Sequence, residues 1–352
     1  MAPIELPAGR SPRLPIWVAP MAGGPTTVEL IEAVTGAGAL GFIPGGSLTA
    51  DAFRDLIDVV SARARGPWGV NLFLPGPAAP DPGAIGNYAN QLKPWEKRFG
   101  VSLGDPVRDD DTIETKLEIL AGYEPAAVSF TFGNPGTELV SRVHETTGAA
   151  VITTVTTPEE AAAAAGTGVN GLVVQGSEAG GHRGVWMDDR IYPGGGPLIP
   201  LLDLIEGVLA VTDLLLIASG GLMNGHDSRR ALDAGASAVQ LGTAFLCTPE
   251  AGTPEVHRRA LLDNEFPGTT VTRGFTGRPA RGLANPLAVA FPDAPSGYPE
   301  VDHLTRPIRA AAAKEGDSAS LDLWAGRGWR KVTEEPAADL VARIAAEAGI
   351  RT

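Results

Sequence analysis

The chain has 352 residues, 43% hydrophobic and 20% charged, with 45 glycines and 30 prolines, a balance that excludes disordered and fibrous proteins. Against 28 Lys and Arg stand 41 Asp and Glu, and a net charge of −13 offers no general attraction to a nucleic-acid backbone or an anionic membrane. One cysteine, Cys247, excludes an intramolecular disulfide and a multi-thiolate metal site, so no metal is expected and a reducing, cytoplasmic setting fits. The most apolar stretch, 197–221, is interrupted by Asp203, Glu206 and Asp213 and does not read as a bilayer span.

Short apolar runs alternate with Ala-rich amphipathic stretches to about residue 265, the pattern of βαβ units. The first expected strand, 16–21, runs into APMAGG, where Ala19, Pro20, Met21 and Ala22 leave room for a flat ring against the backbone. A helix over 27–35 and a strand over 40–44 follow. Between them GAGALG (36–41) fits G-x-G-x-x-G, but it leaves a helix and enters a strand, the reverse of the dinucleotide order. After a helix over 50–64, the strand 69–74 carries Asn71, whose amide suits a ring carbonyl or nitrogen. Residues 75–125 break the rhythm with a Pro/Gly-rich opening and helix-like pieces at 84–98 and 111–121.

Strands over 127–132 and 150–155 precede a helix over 158–165. The strand 171–175 ends in GSEAGGHRG, which gathers Gln175, Gly180, Gly181 and His182 in one loop. An imidazole flanked by glycines and followed by Arg183 suits a general base near neutral pH, the cation favouring both neutral histidine and an anionic substrate. Histidines 144, 226, 257 and 303 read as helix-surface or tail residues, and Cys247 as a small buried thiol. The strands 214–218 and 238–241 end in IASGG and QLGTAF, placing Ser219, Gly220, Gly221, Gln240, Leu241, Gly242 and Thr243 at two neighbouring strand ends. Glycines there let N–H groups approach an oxyanion, as in the phosphate cradle of barrel enzymes.

Eight such units predict an α/β fold, a (β/α)8 TIM barrel, with an insertion after strand 3 and a C-terminal helical cap. The expected division is a cofactor-binding barrel over 1–265, with its insertion at about 75–125, and a cap over 266–352. Helix-like pieces at 304–314 and 337–348 lie in that cap. Insertion and tail are both expected over one barrel mouth.

PIWVAPMAGG, WGVNLFLP, VSFTFGNP, VVQGSEAGGHRG, IASGGLMNG and AVQLGTAFL, in this order, resemble the motif series of the nitronate monooxygenases. FTGRPARGL, YPEVDHLTRPIRAAA and LWAGRG extend the resemblance to the C-terminal signatures of the bacterial class I members. It implies an FMN barrel that oxidises alkyl nitronates with dioxygen, by one-electron transfer to FMN, flavin reoxidation and collapse to a carbonyl compound and nitrite. Carried over, it implies FMN contacts at Asn71, Gln175, Gly180, Gly221 and 240–243, with His182 as the catalytic base. Tyr298 keeps an active-site tyrosine. Thr131 stands where class I members commonly have histidine, and Asp302 and Arg306 where well-studied members have Tyr and Lys. These departures bear on substrate range; Arg306 suits a carboxylated nitronate. The enoyl-acyl-carrier-protein reductases share the GGH loop and are the alternative, with a non-catalytic flavin-binding protein as a second. The oligomeric state is left open.

Overall fold

The computed structural model describes residues 5–76 and 81–351, so part of the Pro/Gly-rich opening of the insertion, 77–80, lies outside the described residues. Six strands run in chain order: β1 (Ile16–Val18), β2 (Leu40–Pro44), β3 (Trp68–Phe73), β4 (Ala127–Thr131), β5 (Ala150–Val155) and β6 (Gly171–Gln175). A two-residue strand, β7 (Gly181–His182), stands apart, and β8 (Leu215–Ser219) and β9 (Ala238–Leu241) complete a closed, parallel eight-stranded barrel. β9 returns to β1 with Trp17 opposite Gln240 and Val18 opposite Leu241. The first strand stops short of the expected residue 21. Ala19 still donates its N–H to Leu241 O at 2.9 Å, but Pro20 has no N–H with which to continue the ladder.

The helices are α1 (Val28–Gly36), α2 (Ala50–Arg63), α3 (Pro82–Phe99), α4 (Ile113–Leu120), α5 (Gly136–Thr147), α6 (Pro158–Ala165), α7 (Leu201–Leu209) and α8 (Gly225–Asp233). α9 (Glu255–Leu262), α10 (Pro286–Ala290), α11 (Glu300–Glu315) and α12 (Ala337–Glu347) follow. Local chemistry starts many of them. Thr27, Thr49, Thr157 and Asn224 each cap a helix by accepting a backbone N–H three residues on.

Strand alternation splits the apolar residues into two layers. Trp17, Leu40, Phe42, Ile152, Val173 and Ile217 fill the barrel, with the Trp17 and Phe42 rings 5.5 Å apart. Their neighbours along the strands, such as Ile16, Val18, Val70 and Val128, pack outward against the helices.

A third cluster covers the C-terminal mouth of the barrel. It joins Tyr88 and Leu92 of α3 to Leu287 of α10, Val301, Leu304 and Ile308 of α11, and Phe275 and Trp329 of the tail. Insertion and tail therefore cover one mouth together. β10 (Thr269–Thr272) and β11 (Ala280–Leu283) form a small antiparallel sheet with β7. The last helix behaves differently from the expected cap. α12 packs on α1 and α8, and its Leu340, Val341 and Ile344 belong to the cluster outside the barrel, so it closes the helical ring as the eighth barrel helix. The tail crosses the mouth first and returns to the ring afterwards, a route that periodicity along the chain does not encode. Among the described residues no helix is long and apolar enough to cross a membrane, and no group of three or more His, Cys, Asp or Glu is placed to hold a metal ion.

Candidate active site

The strand ends and their covering segments enclose a cavity of about 630 Å³. Its floor is built by main chain. Residues 19–26 after β1, Asn71 on β3, Gln175 on β6 and the ends of β8 and β9 line it. All the residues expected to hold the cofactor are there: Ala19, Pro20, Met21, Ala22, Asn71, Gln175, Gly180, Gly181, Ser219, Gly220, Gly221, Gln240, Leu241, Gly242 and Thr243. Gly220 and Gly221 have φ of +121° and +72°, conformations that L side chains rarely adopt. Among the described residues none accepts a hydrogen bond from the N–H of Gly220, Gly221 or Gly242, which leaves these donors for a ligand. Gly180 serves close approach: a Cβ there would meet Gly326 N at 2.5 Å, because the tail lies directly on this loop.

Two amides of the floor are already partly committed. Asn71 donates through Nδ2 to Ser129 Oγ at 2.9 Å and Thr131 Oγ1 at 3.0 Å, which leaves its Oδ1 without a protein donor among the described residues. Gln175 donates to His182 O at 3.0 Å and accepts from Gly184 N at 2.8 Å, so its side chain clamps the loop that carries His182.

The roof is built by side chains. His182 is on β7, and the pairing of Ala280 with His182 ties it to the tail. Its Nε2 is 2.9 Å from Thr276 Oγ1, and its ring is surrounded by Phe132, Tyr298 and Trp324, each with a centroid 5.7 Å away. Burial first, and the nearby Arg278 cation second, push its pKa down to about 4. The expectation of a base near neutral pH beside Arg183 is thereby corrected. Successive residues of an extended chain face opposite sides, and Arg183 turns away to the carbonyls of Gly176 and Pro197. The cation near the imidazole is Arg278, from a segment about a hundred residues later. Its guanidinium lies 3.7 Å from the Phe132 ring centroid and donates to Val185 O, and burial lowers its pKa only to about 10.

Thr131 and Arg306 line the cavity as expected. Tyr298 is not itself a lining residue, but its ring packs on His182 and its hydroxyl is 3.0 Å from Ser47 Oγ. Arg306 pairs with Asp302 at 2.6 Å, and Asp302 is shared with Arg309, which also holds Asp322 at 3.0 Å. His257 departs from the helix-surface reading. It is 6% exposed and lines the cavity, its Nε2 has no hydrogen-bond partner among the described residues, and burial pushes its pKa down to about 4. Cys247 is buried, with its thiol pushed up to about 11. Sequence reading missed Ser47, Phe73, Phe132, Thr276, Arg278, Arg309 and Trp324 as neighbours of the site. All of these but Ser47 lay inside quoted motifs, Phe73 in WGVNLFLP, Phe132 in VSFTFGNP, Thr276 and Arg278 in FTGRPARGL, Arg309 in YPEVDHLTRPIRAAA and Trp324 in LWAGRG, where nothing local set them apart from their neighbours.

A family model described as nitronate monooxygenase matches residues 10–347. The nitronate monooxygenase of Pseudomonas aeruginosa is 38% identical over 347 residues, 95% of each chain. Among solved structures, the nitroalkane oxidase of Streptomyces ansochromogenes superposes with a TM-score of 0.92 at 44% identity, covering 96% of each chain. FabK of Thermotoga maritima aligns with a TM-score of 0.72 at 25% identity, covering 96% of this chain and 93% of that one.

Proposed function

The chain is an enzyme of the nitronate monooxygenase family, and on that premise we propose that it holds one FMN and oxidises alkyl nitronates with dioxygen to a carbonyl compound and nitrite. The observation that carries the reading is one cavity in which N–H groups at the ends of β8 and β9, without acceptors among the described residues, meet the half-buried His182 beside the buried cation of Arg278.

The floor residues fit FMN. The N–H groups of Gly220, Gly221 and Gly242 suit phosphate oxygens, residues 19–22 offer a wall of small groups to a flat ring, and Asn71 Oδ1 suits a ring N–H. No second nucleotide fingerprint is present for the adenylate of FAD. When bound, the flavin supplies the electron acceptor and the route to dioxygen.

The chain's own groups bind the substrate, orient it and move one proton. Arg278 places a cation near His182 that favours an anionic substrate. Burial raises the Tyr298 pKa, so its hydroxyl, beside Ser47 at the cavity edge, stays protonated and can donate to a nitro oxygen, and Thr131 lines the same cavity. Thr276 Oγ1 has one proton, and when it goes to Arg278 O at 3.3 Å, His182 carries its own on Nε2 and keeps Nδ1 as the basic atom. A base with a pKa of about 4 removes the α-proton of a nitroalkane slowly, so preformed nitronates are the better substrates. At the mouth Arg306 uses one nitrogen on Asp302 and offers the rest to a carboxylated nitronate. The residues past 266 that cross the mouth thus contribute to the substrate site. Acidic charge and a single thiol fit a cytoplasmic enzyme of small molecules.

Heat-released cofactor is expected to be FMN, one per chain; FAD, or a colourless protein that takes up no FMN, overturns the cofactor assignment. Oxygen uptake with propionate 3-nitronate is expected without NADH. NADH oxidation with an enoyl thioester, in its absence, would instead identify a reductase.

A further inference from the structure

Three segments far apart in sequence converge on one pair of hydroxyl groups at the edge of the cavity. Ser47, in the loop after β2, lines the cavity, and its Oγ is 3.0 Å from Tyr298 OH. One hydroxyl proton is used in the bond between them. Neither group has another partner among the described residues, so the second proton remains available to an acceptor in the cavity.

Ser47 is held in an unfavourable backbone conformation. Its φ is +63°, in the left-handed region uncommon for a residue with a side chain, and such positions persist when the surroundings over-determine them. The restraint is visible. Ser47 N–H donates to Asp111 Oδ1 at 2.9 Å, and the same oxygen lies 2.8 Å from Lys116 Nζ. Lys116 is fully buried on α4 among Ile113, Leu117 and Leu120, and apart from this ion pair its ammonium has no polar partner among the described residues. Asp111 and Thr112 are themselves left-handed, with φ of +57° and +48°, which folds the turn before α4 back over the lysine. This part of the insertion is tied to the tail that carries Tyr298: Gly104 N–H donates to Leu304 O at 3.0 Å, and Asp109 pairs with His303 at 3.3 Å.

A buried ion pair is a weak stabiliser compared with apolar side chains of similar volume, so fold stability alone does not account for a lysine here. The geometry points to Ser47 as a substrate-binding residue that acts with Tyr298 on one oxygen of the nitro or nitronate group, with Asp111 and Lys116 as its positioning residues. The assignment rests on the placing of Tyr298 at the substrate.

The flavin-loaded enzyme tests it with ethyl nitronate as substrate and propionate as an unreactive oxyanion of similar shape, followed by the flavin absorption. Ser47→Ala is expected to raise KM by about 10-fold, the scale of one hydrogen bond to a charged group, and to weaken propionate equally, with kcat much less changed. Ser47→Gly, which suits the backbone, is expected to lose as much as Ser47→Ala. The paired change Asp111→Asn with Lys116→Met is expected to keep the melting temperature and raise KM several-fold. Adding Ser47→Ala to that pair then brings little further loss, which a merely structural role of the ion pair would not produce. Wild-type KM and propionate affinity in Ser47→Ala or Ser47→Gly would overturn the proposal. Should the unaltered enzyme bind propionate but fail to oxidise any nitronate, the functional reading falls while the oxyanion site still stands or falls on the propionate titration.

Discussion

The floor and the roof of the cavity are built by different means. The floor presents main-chain donors at Gly220, Gly221 and Gly242 and the segment 19–22, all from strand ends whose positions the barrel dictates. On the roof, the chemistry belongs to side chains: His182, Arg278, Tyr298, Trp324 and the Asp302–Arg309 pair, brought together by the tail and the insertion. Under the proposed function the floor would hold the constant cofactor. The roof carries the charged side chains and, under the proposed function, the acid–base group, so substrate preference can change there without disturbing the barrel.

Breaking the floor has the largest expected effect. A Cβ at Gly220 would stand 3.1 Å from both Ala179 N and Gly176 O, at a φ of +121°, so Gly220→Val displaces the donors themselves. The variant should purify without flavin and bind added FMN at least roughly 100-fold more weakly, about 3 kcal/mol; a yellow, active protein would show that these N–H groups are not the phosphate site.

Acid should loosen the roof before the floor. The folded pKa of His182 and of His257 is pushed down to about 4, below the ordinary histidine value, so between pH 6.5 and 4 the unfolded chain binds more protons than the folded one. Stability therefore rises with pH through that window. The penalty is complete below pH 4, on the order of 3 kcal/mol for each histidine, and absent above pH 6.5. Hydrogen exchange at pH 4.5 should open amides of β11 and α11 before those of β3 to β6. Simultaneous opening of both regions would contradict this division.

Within the roof, His182→Asn should keep the flavin and divide the substrates. Turnover of neutral nitroalkane should fall by roughly 100-fold, the usual scale for a lost general base, while preformed nitronate loses less. Equal losses would reassign His182 to binding. Tyr298→Phe is the mildest change, with KM for nitronate expected to rise by roughly 10-fold and the flavin spectrum unchanged. If its kinetics match the unaltered enzyme, the tail serves as packing in that region.

The same division governs what could be read from the residues in order. Helix 158–165 was legible to the residue, because Thr157 caps its start and its alanines form a small apolar face of their own. The glycine-rich ends of β8 and β9 were legible for the same reason: a turn at the end of an apolar run is a local event. Arg183 misled because adjacency along the chain suggested adjacency in space, whereas strand alternation turned it to the far side of the loop. His257 misled because its helix is amphipathic, and only the packing of the tail showed which face is covered.

The sequence by itself determined the eight barrel strands, most of the helices between them and which residues end the strands, since periods of two and 3.6, caps and glycines act over a few residues. The tertiary structure alone decided that Arg278 faces His182, that Ser47 meets Tyr298 across 251 positions, and that α12 returns to the ring between α8 and α1. These contacts follow from the route of the tail across the mouth. That route is set by the fit of one buried surface on another, which no short stretch of the chain contains.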